Sequence, residues 1–166
     1  MTAEAKMEQR DKDGFIWNLR SLPNEIEDLI RDLDDETLRW SPIPGKWSVT
    51  ELICHLRDVE RLAFLERYQR LLAEETPVFH ELDQNQMAIV GDYKNQDGRS
   101  VHADFRRLRE QTVAMLEAAR ADQWERSGIH ERLGPINIEG LVMLQKNHDL
   151  NHLLQMKDIV RLKMPW

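Results

Sequence analysis

Residues 45–56, GKWSVTELICHL, decide the fold because they mark where a long amphipathic helix begins. Ser48 and Glu51 fit a capping box, in which the serine side chain accepts from the backbone N–H of Glu51 and the glutamate reaches back to the N–H of Ser48. Trp47 stands just before the cap, in the position of a hydrophobic staple. Apolar residues then recur at helical spacing, which predicts a helix that ends near Ala73.

Three further segments place apolar side chains at helical spacing. They lie at residues 15–33, 100–120 and 138–162. Pro23 either begins the first of these helices or kinks a longer one. Residues 77–99 form a connection that is long for a bundle, so we expect it to cross from one end of the domain to the other or to cover a site. Four principal helices and no sheet, beyond a short strand at 134–138, predict an all-α four-helix bundle.

The composition is typical of a soluble globular protein. The 166 residues include 41% apolar and 32% charged side chains, enough for a hydrophobic core. A net charge of -7 argues against a nucleic-acid partner, because such binding needs a basic surface. The sequence has no membrane span, no signal peptide and one cysteine, Cys54, which excludes an intrachain disulfide. We expect a single domain over 1–166, with 1–13 flexible, and a cytoplasmic location.

The last helix carries the segment NHDLNHLLQM, residues 147–156, with His148 and His152 one helical turn apart on one face. Both histidines fall in the stripe of core-facing positions of this helix, so we expect both rings to point into the bundle. Two buried imidazoles need partners, and a shared divalent metal would serve both. His55 in the second helix is the candidate third ligand.

Three neutral imidazoles with one open coordination position suit a catalytic metal site. Zinc and nickel are the leading candidates and iron is a third, because imidazole binds all of these ions. The remaining histidines lie in loops or near a helix start, and we predict that they are surface residues: His80, His102 and His130. The segment 57–61, RDVER, predicts a solvated helix face with an ion pair between Asp58 and Arg61 and another between Arg57 and Glu60.

Residues 45–56, followed later by HDLNH, resemble the DinB-like superfamily, whose members commonly show a KWS start to the second helix and an HxxxH in the last. The resemblance covers the whole chain in helix order and spacing. It implies an up-down-down-up four-helix bundle with a long connection between helices two and three. It also implies homodimers and a divalent metal bound by His55, His148 and His152.

The resemblance further implies a metal-dependent transferase that joins a low-molecular-weight thiol to an electrophilic substrate, since activities known in the superfamily are thiol-dependent. Cys54 is not the expected nucleophile, because it points away from His55 around the helix and reads as a small buried residue.

Two alternatives stay open. HDLNH resembles the HExxH of metal-dependent hydrolases, with Asp149 where the catalytic glutamate would stand. A general base could instead come from Asp58, Asp83 or Asp92. The other alternative is a non-enzymatic metal-binding or stress-related bundle, because fold and site do not fix an activity.

Overall fold

The computed structural model describes residues 3–164, with side chains from residue 11 onward. The α-helices in this part of the chain are, in order, α1 (Ala3–Ile30), α2 (Asp35–Arg39), α3 (Val49–Val59), α4 (Glu66–Ala73), α5 (Gln84–Val90), α6 (Gly98–Ala118), α7 (Ala121–Trp124) and α8 (Ile138–Lys163). A π-helical turn, Glu60–Leu65, joins α3 to α4, so these three pieces form the second long helix of the bundle. A 3₁₀ turn at Tyr93–Asn95 precedes α6.

Helix α6 runs parallel to α3. The first residue of α6, Gly98, lies against Thr50 at the start of α3, and a Cβ on this glycine would lie 2.8 Å from the Thr50 hydroxyl oxygen. The long connection therefore returns the chain to the end of the bundle at which α3 begins. The prediction of a crossover is confirmed, and it gives the two middle helices the same direction.

Helix α1 runs antiparallel to α6. His102, early in α6, bonds to the Pro23 carbonyl, whereas Arg109, farther along α6, bonds to the earlier Leu19 carbonyl. Helix α8 runs antiparallel to the second long helix by the same test, because its Gln145 contacts Glu60 while its later His148 contacts the earlier His55. The bundle is therefore up-down-down-up, as predicted.

Pro23 lies inside α1 and does not start it. A proline has no N–H, so the carbonyl four residues earlier, that of Leu19, loses its helical partner. Arg109 Nη1 donates to that oxygen at 2.9 Å. Because α1 begins at Ala3, the backbone of residues 3–13 is helical; the flexibility predicted for residues 1–13 stays a prediction, and residues 1–2 lie outside the described part of the chain.

A three-stranded sheet completes the fold, with strand order β1 (Val78–Phe79), β2 (Ser127–His130) and β3 (Gly134–Asn137). Strands β1 and β2 are parallel, and β2 and β3 are antiparallel. The short strand predicted at 134–138 is confirmed as β3, but the prediction that no other strand exists is wrong. Strands of two and four residues are too short to show an alternating pattern.

The second long helix begins as predicted and then departs from an ordinary α-helix. Ser48 and Glu51 form the capping box, with the Glu51 carboxylate accepting from the Ser48 N–H at 2.9 Å. A π-helical turn widens the helix, so the side chains that follow it change face. Leu62, within this turn, is exposed, and Glu60 is buried because it lies one helical turn after the buried Leu56, on the same face.

The hydrophobic core consists of two clusters. One surrounds the start of α3 and includes Ile53 and Phe105, and the other surrounds α4 and includes Tyr68 and Trp124. In α8, the core residues before position 145 belong to the second cluster, and the core residues after position 152 belong to the first. This polar stretch places the candidate site between the two. Among the described residues, none of the helices combines the length and the apolar character that crossing a membrane requires.

Candidate metal centre

His55 is held rigidly on α3. Its ring is fully buried, and the indole of Trp47 packs against it with ring centroids 4.9 Å apart. The capping box fixes the start of the helix one and a half turns earlier, so it also fixes the direction in which His55 points. Trp47 therefore both staples the helix start and supports the histidine.

The structure brings the three predicted histidines together. One ring nitrogen from each of His55, His148 and His152 lies within 4.8 Å of the other two. The closest pair is His55 Nε2 and His148 Nε2, 3.0 Å apart. Zinc–imidazole bonds are about 2.0–2.1 Å long, so this pair can share one ion, and the nitrogen of the third ring lies within 4.8 Å of both. We call these three residues the histidine cluster.

The electrostatics of the histidine cluster favour uncharged rings. Burial, with smaller contributions from the nearby His152 and His148, lowers the pKa of His55 to about 3. Burial also lowers the pKa of His152, with a second contribution from His148. Metal ligands must be deprotonated, so rings that resist protonation are suited to bind a cation.

Hydrogen bonds orient one ring and leave two incompletely satisfied. The Nδ1 of His152 lies 2.9 Å from Gln155 Oε1, and since an amide oxygen only accepts, Nδ1 carries the proton and the Nε2 lone pair is free. The Nδ1 atoms of His55 and His148 are buried without a hydrogen-bond partner among the described residues. The Nε2 atoms of His55 and His148 face each other at 3.0 Å, so either one donates to the other or both lone pairs point at a shared cation. The cluster therefore fits a divalent metal.

A second polar group lies directly behind the histidine cluster. We call it the Glu60 network, and its members are Glu60, Arg109, Thr112, Gln145 and Asp149. The Glu60 carboxylate accepts from Arg109 Nη2 at 2.8 Å, from Gln145 Nε2 at 2.7 Å and from the Thr112 hydroxyl. Burial opposes the charge on Arg109, but Asp149 and Glu60 outweigh it and raise its pKa.

Asp149, which stands at the sequence position of the HExxH glutamate, belongs to this network. Its Oδ2 lies 2.9 Å from Arg109 Nη1, although the contact is not aligned as a hydrogen bond. Its Oδ1 lies 3.7 Å from His148 Nδ1, behind the ring. An aspartate placed there resembles the carboxylates that support ligating histidines, and not the base of an HExxH site.

The other carboxylates predicted as bases already have partners. Asp58 is buried and accepts from Arg57, Arg61 and the Tyr93 hydroxyl, so the predicted Asp58–Arg61 pair is confirmed. Asp83 caps α5 by accepting from the Gln86 N–H, and Asp92 accepts from the Asn95 side chain.

One prediction about a charged pair and one about the cysteine have clear outcomes. The predicted Arg57–Glu60 pair is wrong, because Glu60 lies on the buried face of the helix, one turn after Leu56, and pairs with Arg109, while Arg57 binds Asp58 and Gln96. Cys54 is buried as predicted, and burial raises the pKa of its thiol to about 12. A thiol with that pKa is not a nucleophile near neutral pH.

The prediction of surface histidines is right for His80 and wrong for the other two. His80 is exposed and contacts Glu131. His102 is buried in α6 with its Nε2 2.8 Å from the Pro23 carbonyl, because Pro23 stands in α1 directly opposite. His130 is 2% exposed because it lies on the inward face of β2. Neither the contact of His102 with Pro23 nor the burial of His130 has a signal in the local sequence.

A cavity of about 130 Å³ opens beside the histidine cluster, and we call it the His148 cavity because that ring lines it. Its polar wall contains Arg67, Glu81 and His130, none of which the sequence analysis proposed for the site. They come from α4, from the long connection and from β2, which only the folded chain brings together. A larger cavity of about 730 Å³ beside Trp47 has none of the three histidines in its described lining.

Comparison with known proteins connects this geometry to a family. A model of the DinB superfamily matches residues 18–156. YfiT of Bacillus subtilis, whose name provisionally describes it as a metal-dependent hydrolase, is 24% identical to this chain over 152 residues. The aligned residues cover 89% of this chain and 85% of that protein. A protein of Oceanobacillus iheyensis with the same kind of name is 29% identical over 160 residues, 91% of this chain and 92% of its own length.

Solved structures show the same fold. That of Bacillus subtilis YfiT, described as having an unusual four-helix bundle topology, superimposes with a TM-score of 0.84 at 23% identity over 100% of this chain and 91% of the other. The DinB-like protein YjoA of the same species gives a TM-score of 0.61 at 17% identity, covering 90% and 92% of the two chains. The family match begins within α1, ends within α8 and includes the capping box and all three clustered histidines, and this chain belongs to the DinB superfamily.

Proposed function

We propose that this protein is a divalent-metal-dependent enzyme that transfers a low-molecular-weight thiol to an electrophilic substrate. His55, His148 and His152 would hold the metal. The observation that carries the proposal is the meeting of three imidazole nitrogens at the side of a cavity, which leaves room for a small molecule next to them. A divalent metal there would act as a Lewis acid that lowers the pKa of a thiol or of water.

Thiol transfer makes a modest demand on the residues of the chain. A sulfur–carbon bond forms, the leaving group departs with its electron pair, and the thiol proton passes to solvent. No side chain has to remove a proton at the same moment, because a thiol of lowered pKa is already ionised near neutral pH. This suits a site in which Asp149 and Asp58 are both occupied by arginines.

Hydrolysis is the second candidate, and one residue favours it. Glu81 is 44% exposed on the wall of the His148 cavity, within 3.2 Å of Arg132 and 3.5 Å of His130 Nε2. A carboxylate in that position can act as a general base toward a water molecule. The names of the relatives agree with this reaction class.

The proposal includes several finer predictions. The metal would be zinc or nickel, with iron as the third candidate. The small thiol and the electrophile would be the partners, and the protein would act as a cytoplasmic homodimer with one domain over residues 1–166. The three imidazole donors support this choice of metals, because neutral imidazole binds all three ions.

The decisive experiment measures metal content and activity together. The untagged protein would be analysed by mass spectrometry, with His55→Ala and His152→Ala as test variants and His80→Ala as the matched control. We expect one metal per chain in the parent and in His80→Ala and none in the two test variants, since His80 lies outside the histidine cluster. A parent that binds none of the three ions would overturn the proposed site.

The loaded protein would then be assayed with N-acetylcysteine and monochlorobimane, and separately with p-nitrophenyl acetate. Thiol transfer predicts metal-dependent adduct formation that Glu81→Gln leaves intact. Ester cleavage that requires both metal and Glu81, without adduct formation, would replace the transferase by the hydrolase. Metal binding without either reaction, across a panel of thiols and esters, would favour a non-enzymatic role.

A further inference from the structure

Arg67, on α4, carries a buried positive charge that no carboxylate neutralises by contact. Its side chain is 8% exposed, and its Nη2 donates to the His80 carbonyl at 2.7 Å. Within residues 11–164 no acidic oxygen lies close enough to form an ion pair with it, although Arg109 in the same bundle has two such partners. A guanidinium has five N–H donors, so most of those of Arg67 are available.

This guanidinium lines the His148 cavity together with apolar side chains. Val59, Phe64 and Leu144 form part of the apolar wall. Buried charges in proteins are normally paired, because removing an ion from water is costly. An arginine that is nearly buried, faces a cavity and lacks an acidic partner is therefore suited to an anionic ligand.

His130 adds a second donor to the same cavity. Its Nδ1 accepts from the backbone N–H of Arg132 at 3.3 Å, which leaves the ring proton of the neutral imidazole on Nε2. The nearby Glu81 attracts Arg67 without contacting it, lies 3.5 Å from His130 Nε2 and is itself paired with Arg132 at 3.2 Å, so two arginines in the lining face one carboxylate. The cavity wall thus holds about one net positive charge.

We propose that the His148 cavity binds the carboxylate of a small, largely apolar substrate, with Arg67 as the principal anion-binding residue and His130 as a second donor. That this carboxylate belongs to a substrate rests on the proposed function. A carboxylate matches both the single charge and the planar fork of a guanidinium. A phosphate dianion would bring more charge than the cavity wall offers. The volume of about 130 Å³ suits a group of about the size of benzene.

The test measures the binding of benzoate by isothermal titration calorimetry, with the uncharged benzamide and inorganic phosphate as comparison probes. The full chain would be used after metal loading and again after metal removal, because a carboxylate can also bind a metal directly. Arg67→Met is the test variant, and Arg67→Lys keeps the charge without the fork. Arg70→Met is the matched control, since Arg70 lies one turn away, donates to the Val78 carbonyl and packs on the same Phe79 ring, but does not line the cavity.

We expect benzoate to bind the parent and benzamide to bind at least about 10-fold more weakly. Arg67→Met should weaken benzoate binding about 10- to 100-fold, because a charge-assisted hydrogen-bonded pair is lost. Arg67→Lys should give an intermediate affinity and Arg70→Met the parent affinity. Equal losses in Arg67→Met and Arg70→Met, or tighter binding of phosphate than of benzoate, would overturn the proposal.

The same measurements separate this proposal from the proposed function. Arg67→Met should keep the parent's metal stoichiometry, which shows that the variant is folded and its histidine cluster intact. Arg67-dependent benzoate binding that persists in the metal-free His152→Ala variant would support the carboxylate site even if the metal proposal failed. A parent that binds metal but binds benzoate no better than benzamide would remove the carboxylate site and leave the metal proposal standing.

Discussion

The Glu60 network and the histidine cluster are neighbouring polar groups in one bundle, yet their hydrogen bonding differs. Glu60 has three donors, and Arg109 reaches two carboxylates and the Leu19 carbonyl. In the histidine cluster, two buried Nδ1 atoms have no hydrogen-bond partner in the described part of the chain. A satisfied network contributes to the specificity of the fold, whereas ring nitrogens that converge, as the Nε2 atoms of His55 and His148 do at 3.0 Å, suggest a ligand.

The comparison also separates two uses of a buried charge. Arg109 is enclosed by its acidic partners, whereas Arg67 faces a cavity with a backbone carbonyl as a hydrogen-bond partner. Both arginines are buried. Burial alone therefore does not distinguish a structural charge from a candidate binding residue. The two are distinguished by whether the buried charge has an acidic partner.

The largest expected effect is on stability, from Arg109→Met. This change leaves the Glu60 and Asp149 carboxylates buried without their cation, which should lower the free energy of unfolding by about 3–5 kcal/mol. Urea denaturation of the metal-free protein measures it. Arg107→Met is the control on the same helix, because Arg107 is exposed in an ion pair with Asp104 and should have little effect.

A double variant sharpens the same prediction. Combining Glu60→Met with Arg109→Met should cost less than the sum of the two single changes, because each single change leaves the other partner unpaired. Additive losses would show that the two residues do not form a coupled pair, and the description of a closed network would then be wrong.

A smaller effect is expected on metal affinity, from Gln155→Leu. The Gln155 side chain accepts from His152 Nδ1 and so keeps the Nε2 lone pair directed toward the cluster. Its loss should weaken zinc binding about 10-fold, at the low end for residues that support a ligand. Competition against a zinc-binding dye measures the affinity, with the exposed Gln111→Leu as control. An unchanged affinity would mean that this hydrogen bond does not orient His152.

The smallest expected effect is the pH dependence of the metal-free protein. The pKa of His55 is about 3 in the folded chain, below its ordinary value of 6.5, because of burial first and then His152 and His148. The unfolded chain therefore binds the proton more readily, so stability is full above pH 6.5 and declines as the pH falls toward 3. Between about pH 7 and 5.5 this histidine should account for a loss of about 1 kcal/mol.

The variant His55→Leu tests this contribution. Its free energy of unfolding, measured with a chelator present, should vary with pH by about 1 kcal/mol less than that of the parent over the same interval. An identical pH dependence in the two proteins would show that His55 titrates alike in the folded and unfolded chains. The cluster would then be more open to water than the structure shows.

The local sequence was sufficient for the long helices and for the placement of His148 and His152 on one helix face. Helix starts and apolar stripes depend on residues a few positions apart, as Ser48 with Glu51 and His148 with His152 show. The pairing of His55 with the other two required the family resemblance as well, since spacing within one helix does not say which helix lies opposite.

Tertiary structure decided the rest of the site. Glu60, expected on a solvated face, lies in the core paired with Arg109, and Pro23 frees a carbonyl that Arg109 reaches from another helix. His130 and Arg67 meet at one cavity because β2 packs beside β1 at the end of α4. The sequence by itself determined where the helices begin and which histidines share a face, because those features arise from contacts within a turn or two of helix. Which charges are enclosed and which face a cavity depended on contacts between distant segments, and only the folded chain specifies those.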